Sequence, residues 1–357
     1  MIYLTLTFSS FLITLLVSLY LTKKPVALSI PTERGLHEKT TPTSGGLALF
    51  AGFMVGAIIM ELVNYGFYSI QTLIIFSIIT LIGFLDDKYS ISKMIRFLTQ
   101  IVLALLATTL YTDSWLILFL LVFFMVYFIN AYNFMDGIDS LIIFQSIFSL
   151  IAFIILIIIA DPAYLDSKDL NTFFLNFHPE ILLIIILITF SFFNFTPAKL
   201  FLGNSGSYFL GMFLSYHIIF INYSFLDPEN TININFITSF IVFTVILVDT
   251  IYVIIRRLVQ SIISTFTKEN KIIKKILVSS IQYITEAHCT HNYQQLTKKT
   301  HSHSRAVLFL MLYNILWCLP LAIISVKFSE YGVLCLSLSC IPYIIWCYIN
   351  NAGVEIN

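Results

Sequence analysis

Residues 114–140 read SWLILFLLVFFMVYFINAYNFMDGIDS, and the first twenty of them carry no charge. A helix rises about 1.5 Å per residue, so a run of this length crosses a hydrocarbon layer roughly 30 Å thick. The stretch therefore predicts a membrane-spanning helix whose end carries Asn130, Asn133, Asp136, Gly137 and Asp139. If the helix persists, Asn130, Asn133 and Asp136 recur at helical spacing and share a face. Two carboxamides and a carboxylate offer hard oxygen ligands or hydrogen bonds to a sugar or phosphate. The plainer reading is an Asn/Asp-rich helix end that caps itself.

The rest of the chain repeats the theme. Ten further apolar stretches flank this one, giving spans at about 2–22, 45–63, 69–85, 95–111, 114–133, 141–160, 179–194, 207–224, 233–255, 306–327 and 331–350. Hydrophobic residues make up 59% of the 357 and charged residues 11%, against about 25% charged in a soluble protein. The mean hydropathy of +0.93 fits the same picture. The expected fold is an all-α, polytopic helical bundle of about eleven transmembrane helices in the lipid bilayer. Its 19 basic and 19 acidic side chains cancel, which argues against a nucleic-acid partner. The five cysteines form no CxxC pattern, so neither a disulfide framework nor a zinc site is implied.

Eleven spans create two sets of loops. Every Lys and Arg except Lys168 and Lys327 falls in or at the edge of one set, which by the positive-inside rule is cytoplasmic. The N-terminus is then outside and the C-terminus cytoplasmic. The same loops hold the residues able to do chemistry. A transporter would place ionisable groups near the midplane; His217 is the main candidate there, and a lone His in an apolar helix reads as packing.

Four cytoplasmic clusters carry the chemistry. Asp86 and Asp87 end the third span, where adjacent carboxylates call for Mg²⁺ or a basic neighbour, or simply stop the helix. The Asn130–Asp139 cluster is the second. The third is PAKLFLGNSGS (197–207), whose glycines let a backbone approach phosphate beside Lys199. The fourth pairs the first loop, with Arg34 and His37, with the loop at 256–305, which carries His288, His291, His303 and Arg305. Such a His/Arg collection suits a pyrophosphate more than zinc. Residues 268–284 mix Lys with Ile, Leu and Val as an interfacial helix would.

In this order the segments PTERGLHEKTTPTSGG, GFLDDKYSISKMIRFLTQ, NAYNFMDGIDS, NFTPAKLFLGNSGS, DTIYVIIRR and AHCTHNYQQL resemble the polyprenyl-phosphate N-acetylhexosamine-1-phosphate transferases of glycosyltransferase family 4. The likeness is nearest to the branch that initiates O-antigen and related polysaccharides. The resemblance implies one membrane-embedded transferase domain over 1–357 with a cytoplasmic loop at 256–305. It implies a UDP-N-acetylhexosamine-type donor, 6-deoxy derivatives included, a polyprenyl (undecaprenyl) phosphate acceptor, release of UMP, and Mg²⁺ with Mn²⁺ as an alternative ion. The location implied is the bacterial inner membrane with the site on its cytoplasmic face, and a homodimer stays open.

By the same resemblance Asp86, Asp87 and Asp136 are catalytic. Asn133 and Asn204 hold the metal. Arg34, His37, Asn130, Lys199, His288, His291, His303 and Arg305 bind substrate. Three places depart from the family pattern: Asn204 stands where Asp is usual, Thr43-Ser44 where the branch commonly has Arg-Gly, and Ser140 where Gly is usual. Asn204 keeps a carbonyl oxygen but removes a charge, so metal affinity is expected to fall and an aspartate there to raise it. A non-catalytic homologue and a lipid or nucleotide-sugar transporter are the remaining readings.

Overall fold

The computed structural model of the chain describes residues 2–31, 37, 39–162, 173–174, 176–224, 234–268 and 289–354. It is 79% helical. A helix occupies each of the eleven apolar stretches. In chain order these are α1 (Ile2–Lys23), α2 (Gly46–Leu62), α3 (Ile70–Tyr89), α4 (Lys93–Thr108), α5 (Trp115–Met135), α6 (Leu141–Ala160), α7 (His178–Asn194) and α8 (Gly203–Ser224). They continue with α9 (Phe236–Val242), α10 (Thr244–Lys268), α11 (Asn292–Thr300), α12 (His303–Tyr313), α13 (Leu319–Lys327) and α14 (Gly332–Ile349). Two short strands, β1 (Leu28–Ser29) and β2 (Thr41–Pro42), pair antiparallel.

Among the described residues, six helices are long and apolar enough to cross a bilayer, or seven if α9 and α10 count as one span. The outward faces agree with that environment. Trp115 is 84% exposed and Phe119 and Phe123 67%, a continuous apolar surface that water would penalise and lipid accepts.

The ninth stretch differs from the single span that its sequence suggests. The chain bends by 84° between α9 and α10 at Phe243. Asn235 caps α9, its side chain accepting from the Thr238 amide at 2.9 Å. The tenth stretch runs through a π-helical turn at Asn314–Cys318 before α13.

The centre of the bundle is α8, against which α2, α3 and α5 pack. Phe53 of α2 lies 5.3 Å from Phe209 and 5.6 Å from Phe213 of α8 between ring centroids, and Phe76 of α3 closes the cluster. Toward the end of α8 that carries the motifs the packing becomes too close for side chains. A Cβ on Gly46 would collide with the backbone of Ser205 and Gly206. That contact, with hydrogen bonds from Gly45 N to Phe201 O and Gly46 N to Leu202 O, both 2.9 Å, welds the start of α2 to the start of α8.

Candidate active site

The ends of α3, α5 and α8 meet the β2 segment and the approach to α11 around a cavity of about 400 Å³. Asp87, Asn133, Asp136, Asp139 and Asn204 line it, with His37, Cys289, Gln294 and His303. Three of the four sequence clusters and both ends of the fourth thus reach one space.

Asp87 is held by backbone and hydroxyl donors. The amide of Asn204 donates to Oδ1 at 2.8 Å, the amide of Ser205 to Oδ2 at 3.3 Å, and Ser44 Oγ to Oδ2 at 3.1 Å. The first two come from the start of α8, where exposed amides and the helix dipole favour an anion. Asp86, one residue earlier, points elsewhere because neighbours on a helix diverge by about 100°. It is 6% exposed and does not line the cavity. Its Oδ2 accepts from Arg96 of α4 at 2.6 Å, from Asn204 Nδ2 at 2.8 Å and from the Tyr208 hydroxyl at 3.4 Å.

Asn204 is a hub. Its Nδ2 must face Asp86, a carboxylate that only accepts, so its Oδ1 turns to Asn133, whose Nδ2 donates at 2.6 Å and also reaches Ser207 Oγ at 3.1 Å. Asn130 does not join its neighbour in the cavity. Its Nδ2 donates to Gln100 Oε1 of α4 and to Val126 O, each at 2.7 Å.

Asp136 follows α5. Desolvation, then the charges of Asp87 and Asp139, push its carboxyl well above the usual carboxylate range. The next residue must be small: a Cβ on Gly137 would strike the Tyr293 hydroxyl, which donates to Phe134 O at 2.9 Å. Asp139 lies beside His303, with Oδ1 3.4 Å from Nδ1, and its Oδ2 accepts from Ala198 N at 3.2 Å. Ser140, with φ 68°, binds α7 through its hydroxyl to Asn194 O at 3.0 Å and its amide to Asn194 Oδ1 at 2.9 Å.

His291 serves the wall rather than the interior. It is 3% exposed, and its Nδ1 lies 3.0 Å from Asp249 Oδ1. Asp249 also accepts from the amides of Asn292 at 3.0 Å and Tyr293 at 3.1 Å and from Tyr343 hydroxyl at 3.1 Å. A carboxylate so placed satisfies the first amides of α11 and fixes that helix to α10 and α14. Lys199 and Arg305 are exposed and stand outside the cavity lining. Arg34, His288 and residues 269–284 of the expected interfacial helix lie outside the described residues.

Two carboxylates join His217, the main candidate from sequence, as buried ionisable groups within the apolar stretches. Asp249 is fully buried in α10, and Glu180 of α7, 3% exposed, lies 2.9 Å from His217 Nε2. The DTIYVIIRR segment contained the signal for the first: an aspartate inside an apolar run needs dedicated partners.

Comparison with known proteins extends this geometry. The model of the family described as glycosyl transferase family 4 matches residues 69–222. A Bacillus subtilis (strain 168) protein, named as a probable undecaprenyl-phosphate N-acetylglucosaminyl 1-phosphate transferase, is 30% identical over 273 residues, 70% of this chain and 72% of that protein. A decaprenyl-phosphate N-acetylglucosaminephosphotransferase of Mycobacterium leprae is 27% identical over 217 residues, 53% of each chain. An undecaprenyl-phosphate alpha-N-acetylglucosaminyl 1-phosphate transferase of Thermotoga maritima is 28% identical over 213 residues, 58% of this chain and 60% of that one. The chain thus spans less than two thirds of the latter two.

Proposed function

The chain belongs to glycosyl transferase family 4 and is a transferase; from that premise we propose that it moves an N-acetylhexosamine-1-phosphate, or a 6-deoxy derivative, from a UDP-sugar to polyprenyl phosphate. UMP leaves, and the lipid-linked product begins a surface glycan of the O-antigen type. The observation that carries this reading is the convergence of Asp87, Asp136, Asn133 and Asn204 on one cavity at the end of an apolar bundle. The relatives' names supply the reaction class, and the cavity supplies a place where a membrane-borne phosphate and a water-borne nucleotide meet. The basic loops support placing that face in the cytoplasm of a bacterial inner membrane, with eleven spans and the N-terminus outside.

In the proposed reaction an oxygen of the polyprenyl phosphate attacks the sugar-bearing phosphorus, and the bond to the UMP oxygen breaks. The acceptor phosphate is already largely ionised near neutral pH, so the protein's task is positioning and charge balance. Asp87 and Asp136 border the reacting phosphates. His37 and His303 face the same cavity and donate to phosphate or sugar oxygens. Asn130 and His291 act through the frame, Asn130 by tying α5 to α4 and His291 by seating α11.

A divalent cation fits here on chemical grounds. Among the described residues no three His, Cys, Asp or Glu side chains form a cage by themselves, yet Mg²⁺ commonly takes one or two carboxylates and completes its shell with water and substrate phosphate. Asp87 and Asp136 are those carboxylates, with the Asn133 and Asn204 amides beside them. When bound, Mg²⁺ supplies charge neutralisation on the phosphoryl oxygens. Mass spectrometry of the lipid product formed from a panel of UDP-sugars tests the proposal: a sugar diphosphate lipid with stoichiometric UMP supports it, and no lipid product from any donor refutes it.

A further inference from the structure

We propose that Ser44 is a positioning residue for Asp87, a role that rests on the transferase reading above. Ser44 is completely buried and has φ 72°, in the left-handed region. A side chain there crowds its own backbone, and glycine would take the conformation freely. Left-handed residues other than Gly and Asn are uncommon, and strain kept at a buried position directs attention to what the side chain does.

The surroundings show what the hydroxyl offers. Segment 42–46 is held in place by its own backbone: Phe201 N donates to Pro42 O at 2.8 Å, and the amides of Gly45 and Gly46 bind Phe201 O and Leu202 O. Glycine at 44 would keep all of these bonds. What only the serine adds is Oγ, which donates to Asp87 Oδ2 at 3.1 Å. The Asn204 amide holds Oδ1 at 2.8 Å, whereas the Ser205 amide reaches Oδ2 at 3.3 Å. The Ser44 hydroxyl therefore lies closer to Oδ2 than the Ser205 amide does and helps fix the rotation of the carboxylate at the cavity wall.

The test separates the hydroxyl from the backbone. Ser44→Gly removes both the hydroxyl and the strain; Ser44→Ala removes the hydroxyl and keeps the strain. Purified wild type and both variants are compared by UMP release from UDP-N-acetylglucosamine with undecaprenyl phosphate, and by thermal unfolding. Both variants are expected to lose about tenfold in kcat, the worth of one charge-assisted hydrogen bond, with donor KM within about twofold. The glycine variant is expected to melt above the alanine variant. Two results overturn the role: a glycine variant at wild-type kcat, or a kcat that follows melting temperature so that glycine recovers and alanine does not. Wild-type protein that releases no UMP from this or any other UDP-sugar defeats the transferase reading itself and removes the role with it.

Discussion

Asn204 donates its side-chain amide to Asp86 Oδ2 across 2.8 Å, and Arg96 pairs with the same oxygen at 2.6 Å. An aspartate at position 204 has no proton to give and would set a second carboxylate against the first. The sequence alone suggested that such a carboxylate strengthens metal binding, and the geometry adds a cost. Asn204→Asp should lower the melting temperature in EDTA by the equivalent of about 1–3 kcal/mol, with part of the loss recovered by Mg²⁺. Differential scanning fluorimetry with and without Mg²⁺ measures both; a variant as stable as wild type without metal would show that the Asp86 contact contributes nothing.

Asp136 carries a stability cost that Asn should relieve. Its carboxyl is raised above its unfolded value by desolvation and by Asp87 and Asp139. The folded chain therefore retains a proton that the unfolded chain releases, so its contribution to stability is full at acid pH and is lost as pH rises through the folded pKa. In metal-free protein, Asp136→Asn should melt higher than wild type at about pH 8, and the difference should shrink as pH falls below about 4 toward about pH 3, where the carboxyl is largely protonated in both states. The same variant should release UMP at least about a hundredfold more slowly, since it replaces a carboxylate proposed to hold Mg²⁺ with a neutral amide. Thermal scans across pH check the first point, and an Asn variant that melts lower at pH 8 contradicts it.

Asp249 makes its contribution at a distance from the cavity interior. Asp249→Ala would strip four donors of their acceptor, on His291, Asn292, Tyr293 and Tyr343. The expected loss is about 3 kcal/mol or more. Because α11 is released from its seat, Cys289, which lines the cavity, should react faster with a soluble maleimide. Mass spectrometry of the labelled peptide reads the rate; unchanged labelling would mean that the Asp249 network does not hold this wall.

The helices were legible because apolar runs long enough for a bilayer leave few alternatives, and a helix stands on every one. The bend at Phe243 was not, since residues 236–248 are apolar or hydroxyl-bearing throughout and contain neither Gly nor Pro. Motif order pointed to Asp87, Asn133, Asp136 and Asn204, and all four line the cavity. Their division of labour depended on packing. Asp86 and Asp87 are equivalent on paper, and only the position of Arg96 and of the α8 amides separates them. The same holds for Asn130, drawn away by Gln100. At Ser44 the sequence showed only a departure, Thr43-Ser44 where the resembling branch commonly has Arg-Gly; that the serine keeps a left-handed backbone and reaches Asp87 came from the packing.

The central claim is tested most directly by incubating purified wild-type protein with Mg²⁺, undecaprenyl phosphate and each of several UDP-N-acetylhexosamines, and measuring UMP by chromatography. The account predicts UMP release that requires both the lipid phosphate and a divalent ion, and that falls sharply in Asp87→Ala and Asp136→Ala proteins that still fold. No UMP from any donor, with either Mg²⁺ or Mn²⁺ and with Asn204→Asp equally silent, would contradict it.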